Sequence, residues 1–143
     1  MHSRTPPMDE ARGLYIEQSR LAERLAEITV EPLVIWDVGL GAAANAMAAI
    51  LTHESIAAKG IVRPLRIVSF ENDLDSLRLA FKHHDRFPYL RHAGPPAILK
   101  HATWQSKQHE GLEWKLIEGD FLATMHLAEP PDLIFYDMFS GKT

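Results

Sequence analysis

The most constraining feature of the sequence is a short apolar run that ends in an acid and two glycines. The run is Leu33–Trp36, and the segment after it, Asp37–Gly41, reads DVGLG before an alanine-rich stretch. A continuous apolar run of this length is typical of a strand buried in a parallel sheet. A strand that ends in a glycine turn before a helix lets a ligand lie against bare backbone. The pattern therefore predicts a strand, a ligand-binding turn and a helix, although Gly-x-Gly also serves ordinary tight turns.

The rest of the chain alternates predicted strands with predicted helices. Further strands are expected at 65–70, 114–117 and 132–136, and helices near 43–60, from Asp73 through Phe81, at 96–104 and around 121–127. Residues 1–31 are expected to form an N-terminal arm and a helix, which carries Leu14, Ile16, Leu21, Leu25 and Ile28. This alternation indicates an α/β fold, in which a mostly parallel sheet has helices on both faces.

Composition and charge exclude several kinds of site. The 143 residues fit one domain, and the absence of cysteine excludes disulfides and thiolate metal sites. The eight histidines show no metal-binding spacing, so no metal is expected. The net charge of -4 does not favour nucleic acid, which would need a local basic patch. No apolar run approaches the roughly 18 residues of a membrane span, and no signal core is present, so a cytoplasmic protein is expected.

Polar residues follow the other predicted strands at the point where each strand ends. Glu71 can accept hydrogen bonds from both ribose hydroxyls of a nucleotide. Asp120 can accept one from an adenine amino group, and Phe121 can cover the ring. Asp137 can position an amine nucleophile and take its proton. Each acid can also be a loop carboxylate or a helix cap, but open α/β sheets bind ligands at this edge.

The glycine segment resembles the first motif of the class I methyltransferases, and within them of the MnmC-like group. That group resembles the methyltransferase half of the enzyme that completes 5-methylaminomethyl-2-thiouridine at the tRNA wobble position. The motif, acid-x-Gly-x-Gly-x-Gly-x-Asn, is matched by Asp37, Gly39, Gly41, Ala43 and Asn45. Ala43 stands where the family has its third glycine.

Other segments carry the same resemblance. The family's Ser-Phe-Glu is matched by 69–71, its Gly-Asp by 119–120, and its Asp-x-Phe-Ser-Pro-Lys by 137–142, with Gly141 in place of the proline. Residues 10–18 look like the segment that precedes the core in these proteins. The family's continuation, Asn-Pro-Glu-Leu-Trp, and its later strands do not follow. The chain is therefore expected to lack C-terminal strands and to expose a sheet edge, which a second copy would cover.

The resemblance implies an S-adenosylmethionine-dependent methyltransferase that acts on an amine nitrogen, with tRNA as a partner. Glu71 and Asp120 would then hold ribose and adenine, Gly39 and Gly41 would admit the methionine portion, and Asp137 would face the substrate. Two alternatives stay open. One is a non-catalytic module that retains the cofactor site. The other is an NAD-dependent oxidoreductase, because Ala44 stands where the third small residue of Gly-x-Gly-x-x-Gly is found.

Overall fold

The computed structural model describes Met8 and residues 11–136, and a five-stranded sheet forms its centre. The strands are β1 (Leu33–Val38), β2 (Leu65–Glu71), β3 (Thr103–Gln105), β4 (Leu112–Glu118) and β5 (Leu133–Tyr136). Their order in the sheet is β3-β4-β2-β1-β5. All neighbouring strands are parallel except β3, which runs antiparallel to β4. The predicted α/β fold with a mostly parallel sheet is confirmed.

Helices lie between the strands as the alternation predicts. They are α1 (Leu21–Leu25), α2 (Ala44–Ala57), α3 (Asp75–Lys82), α4 (Gly94–His101) and α5 (Phe121–Thr124). A π-helical turn (Arg12–Glu17) precedes α1, and 3₁₀ turns occupy His84–Arg86, Pro88–Arg91 and Met125–Leu127. No helix in the described part of the chain is long and apolar enough to span a bilayer.

Two predicted helix boundaries are wrong. The N-terminal helix is interrupted at Arg20, whose φ of 59° breaks the helical path, and Ile28 is 92% exposed beyond the end of α1. The helix predicted at 96–104 ends at His101 because Ala102 adopts a left-handed conformation, with a φ of 62°. The chain then forms β3, a strand that was not predicted from the sequence.

The two faces of the sheet are covered unequally. On one face, α2, α3 and α4 pack over a large core that contains Ile35, Ile67 and Trp114. Ala46, Ala48 and Ala49 of α2 are fully buried there, which allows the helix to approach the sheet closely. On the other face, a smaller cluster around Trp36 and Phe70 is covered by α5 and the turn after it. Helices therefore lie on both faces, as predicted.

The outer edge of the sheet next to β1 is formed by β5. Ile134 and Tyr136 of this strand are each 52% exposed, and in the described residues β1 is its pairing partner. An exposed strand edge can pair with another chain. The expectation that a second copy of this chain covers β5 stays a prediction.

A close contact between Gly94 and Trp114 gives a stability test. A Cβ atom at Gly94 would lie 3.0 Å from Cζ3 and 3.1 Å from Cε3 of the fully buried Trp114 ring. Gly94→Ala is therefore expected to lower the free energy of unfolding by about 1–3 kcal/mol through overpacking, measured by urea unfolding. Gly13→Ala is the matched control, since no atom lies within 4 Å of that Cβ position. Equal stability of the two variants would contradict the contact.

Candidate functional site

The carboxyl ends of β1, β2, β4 and β5 meet at one edge of the sheet, because these strands are parallel. A glycine loop, residues 39–43, joins β1 to α2 at this edge. Gly39 and Gly41 have φ values of 91° and 56°, which favour glycine because it has no Cβ. The backbone N–H of Gly39 donates to the carbonyl of Phe70 at 2.9 Å, so the loop is anchored to the end of β2.

Glu71 links the glycine loop to its neighbours at the end of β2. Its Oε1 accepts a hydrogen bond from the backbone N–H of Gly41 at 3.0 Å, and its Oε2 accepts one from Asp73 N–H at 3.3 Å. The residue is only 7% exposed. A carboxylate has about four acceptor positions, so two remain on Glu71. Two neighbouring hydroxyl donors, such as those of a ribose, match that capacity.

The turn after β4 is tied to the same residue. The backbone N–H of Gly119 donates to the carbonyl of Glu71 at 3.0 Å. The exposed Asp120 follows and caps α5, because its Oδ2 accepts from Ala123 N–H at 3.3 Å. Its Oδ1 accepts no hydrogen bond within the described part of the chain, and so retains capacity for a ligand. The structure thus brings Gly39, Gly41, Glu71 and Asp120 to one edge of the sheet.

Phe121 lies on the smaller of the two packed faces. Its ring makes edge-to-face contacts with Phe70, at 5.0 Å between centroids, and with Trp36, at 5.7 Å. These contacts hold the start of α5 against the sheet. That Phe121 covers an adenine ring stays a prediction.

Asp37 belongs to a buried chain of hydrogen bonds that crosses three strands. The indole Nε1–H of Trp114 in β4 donates to Ser69 Oγ in β2 at 2.9 Å. The Ser69 hydroxyl in turn donates to Asp37 Oδ2 in β1 at 2.7 Å. All three side chains are essentially inaccessible to solvent. These hydrogen bonds fix the end of β1 just before the glycine loop. Direct contact between Asp37 and a ligand stays a prediction.

Tyr89 also supports the glycine loop, through a contact that no sequence motif predicts. Its hydroxyl donates to the carbonyl of Ala42 at 2.8 Å, and burial raises the pKa of Tyr89 above its usual range. The hydroxyl therefore stays a donor at neutral pH. No motif marks this tyrosine, since it lies in an irregular region 47 residues from its partner. The hydrogen bonding of Ser69 could be predicted from the sequence, because a serine inside an apolar strand needs a hydrogen-bond partner.

The remaining candidates differ in what the structure shows. Asn45 lies in the first turn of α2, half-buried beside the glycine loop. Asp137 lies outside the described residues, so its catalytic role stays a prediction. Tyr136, which precedes it, is held in place because the Tyr15 hydroxyl donates to its carbonyl at 2.9 Å. Among the described residues no group of three or more metal-ligating side chains comes together.

The fold was compared with known proteins. It is similar to the crystal structure of MnmC2 from Aquifex aeolicus, with a TM-score of 0.63 and 22% sequence identity. The similarity covers 97% of this chain and 43% of that one, so the chain spans less than half the length of its structural relative. No protein-family model and no curated protein matches the sequence. The resemblance to the MnmC-like group, first seen in the sequence motifs, is thus confirmed at the level of the fold over nearly the whole chain.

Proposed function

We propose that the chain binds S-adenosylmethionine at the carboxyl edge of its sheet and transfers the methyl group to an amine nitrogen. The acceptor in this proposal is the aminomethyl group of a modified tRNA wobble uridine, which implies work in the cytoplasm. The observation that carries the proposal is the buried carboxylate of Glu71. It fixes the glycine loop and, among the residues that the structure describes, keeps two acceptor positions at an edge where Asp120 Oδ1 also accepts no hydrogen bond.

The residues of the site divide the work of binding in this proposal. Gly39 and Gly41 leave room for the methionine portion because they carry no side chain. Glu71 accepts hydrogen bonds from the ribose hydroxyls, and Asp120 Oδ1 accepts one from the adenine amino group. Each hydrogen bond to a charged group contributes about 1.5–3 kcal/mol. Glu71 and Asp120 would thus hold the adenosine portion of the ligand, and the glycine loop would leave space for its methionine portion.

The chemical step needs orientation more than acid–base catalysis. When bound, S-adenosylmethionine supplies an electrophilic methyl group on a positively charged sulfur. Holding the amine in line with that methyl group supplies much of the rate enhancement. Asp137 is assigned the role of orienting the amine and accepting the proton that it loses, because in the sequence it directly follows Tyr136, the last residue of β5.

Calorimetric titration of the purified chain with S-adenosylhomocysteine tests the cofactor assignment, with NADH as the control ligand. Saturable binding of S-adenosylhomocysteine with no heat from NADH is expected. Binding of NADH alone would favour the oxidoreductase alternative. A folded chain that binds neither ligand would contradict the proposal.

Methyl transfer is tested separately, with radiolabelled S-adenosylmethionine and tRNA that lacks the final methylation. Incorporation of label over several turnovers is expected, and fully modified tRNA serves as the matched control acceptor. Cofactor binding with no incorporation would identify the chain as a non-catalytic module.

A further inference from the structure

Positive charge is concentrated in one stretch of this acidic chain. Residues 78–107 contain six of its fifteen lysine and arginine residues but only one of its nineteen acidic residues. The six are Arg78, Lys82, Arg86, Arg91, Lys100 and Lys107, and all are exposed. The chain as a whole carries a net charge of -4. This stretch is therefore a basic region on an otherwise acidic protein.

The fold gathers this region on one side of the sheet. The stretch includes α3, two 3₁₀ turns and α4, and their apolar residues pack into the same core. The charged side chains therefore point away from that core into solvent. Arg78 and Lys82 are four residues apart on α3 and so are neighbours on its surface. We call the exposed cations of residues 78–91 the basic face.

Most of these charges form no ion pair with the described residues 11–136. Arg78 forms an ion pair with Asp75, with 3.3 Å between Nη1 and Oδ1. Lys82, Arg86 and Arg91 form none with the described part of the chain. A cluster of like charges without partners raises the local potential and attracts an anion.

The basic face adjoins the candidate ligand site. His83 and Arg86 line a cleft together with Leu79, Phe87 and Ala42, which belongs to the glycine loop. The hydroxyl of Tyr89, which lies between Arg86 and Arg91 in sequence, holds the same loop through Ala42. A large anion on the basic face would therefore reach the edge where the strands end.

We propose that the basic face is a docking surface for the phosphate backbone of RNA, with two phosphate contacts: Arg86, which lines the cleft, and Lys82, which precedes the cleft residue His83 in the sequence. The identification of that RNA as the methyl acceptor rests on the proposed function. Phosphate contacts fix the position of a nucleic acid without reading its sequence. The face would thus align the acceptor, while the site at the sheet edge selects the reacting group.

The test measures binding of a fluorescently labelled tRNA transcript to the full chain at several salt concentrations. Lys82→Glu/Arg86→Glu is expected to lower the affinity at 100 mM salt by at least about 10-fold and to flatten the salt dependence, because two phosphate contacts are lost. Lys82→Gln/Arg86→Gln should show a smaller loss in the same direction. Lys59→Glu/Lys115→Glu is the matched control, with the same charge change at exposed lysines outside the basic face, and should change affinity less than about 3-fold.

Each outcome separates this proposal from the proposed function. No saturable binding by the wild-type chain, or an equal loss in the control pair, would overturn the docking surface. So would unchanged RNA binding combined with loss of binding to phosphatidylserine vesicles, which would assign the face to a lipid surface. S-adenosylhomocysteine binding, measured on the same variants, is expected to be unchanged. If the wild type does not bind S-adenosylhomocysteine, the cofactor site is contradicted, whereas the RNA-binding result still tests the docking surface.

Discussion

Glu71→Gln is expected to weaken S-adenosylhomocysteine binding by about 100-fold, because it removes the negative charge that would accept two ribose hydroxyls in the proposed site. The variant also places an amide NH₂ against a backbone N–H. Both carboxylate oxygens already accept from such groups, at Gly41 and Asp73. The amide therefore loosens the glycine loop as well as losing ligand contacts. Calorimetry on the two proteins measures the ratio of their dissociation constants.

Glu118→Gln provides the matched control for that experiment. Glu118 lies directly opposite Glu71 in the register of β2 and β4, and its side chain is exposed. The same chemical change one strand away should leave the affinity within about 2-fold, because surface substitutions have small effects. Equal affinities of the Glu71 variant and the wild type would show that ribose is not held at this carboxylate.

Ser69→Ala is expected to lower the free energy of unfolding by about 2–4 kcal/mol, since it breaks two buried hydrogen bonds at once. The indole N–H of Trp114 loses its acceptor, and Asp37 Oδ2 loses the hydroxyl donor. Urea unfolding followed by circular dichroism measures the change. Ser76→Ala is the matched control, because Ser76 is exposed on α3, and its effect should stay within about 0.5 kcal/mol.

A double-mutant cycle identifies the cause of that loss. Trp114→Phe removes the indole donor, so it should cost less stability in the Ser69→Ala protein than in the wild type. Additive effects of the two substitutions would mean that the hydrogen bond between Trp114 and Ser69 contributes nothing to stability, so that the loss in Ser69→Ala comes from the hydrogen bond to Asp37 or from packing.

The sequence predicted β1 and β2 because these two strands are buried. A strand covered on both faces is mostly apolar, and every residue of β1 and β2 except Arg66 is buried. β3 has no such pattern, since Thr103 and Gln105 are exposed and only Trp104 is half-buried. Its pairing with β4 depends on where α4 ends, and a left-handed alanine at position 102 leaves no mark in the sequence.

The residues of the candidate site that directly follow the ends of strands could be predicted from the sequence. Gly39, Gly41, Glu71 and Asp120 were found from their positions, and the structure brings them to one edge. A serine inside an apolar strand predicts that Ser69 has a hydrogen-bond partner, but the partners in the supporting contacts were not predictable, because these contacts join residues distant in the chain. Tyr89 and Ala42 are 47 residues apart, and Trp114 and Ser69 are 45 apart. Such pairs depend on tertiary packing, which local sequence patterns do not encode.

The position of β1 has a consequence for the order of assembly. Its edge away from β2 is closed by a segment far along the chain, since Val34 N–H donates to the Asp132 carboxylate across a separation of 98 residues. Synthesis at roughly 5–20 residues per second leaves about 5–20 s between these two segments. Contacts of such long range form late and slow folding. During that interval the strand that leads into the glycine loop has only one neighbour, so the ligand-binding edge reaches its final form when residues 129–136 dock on it.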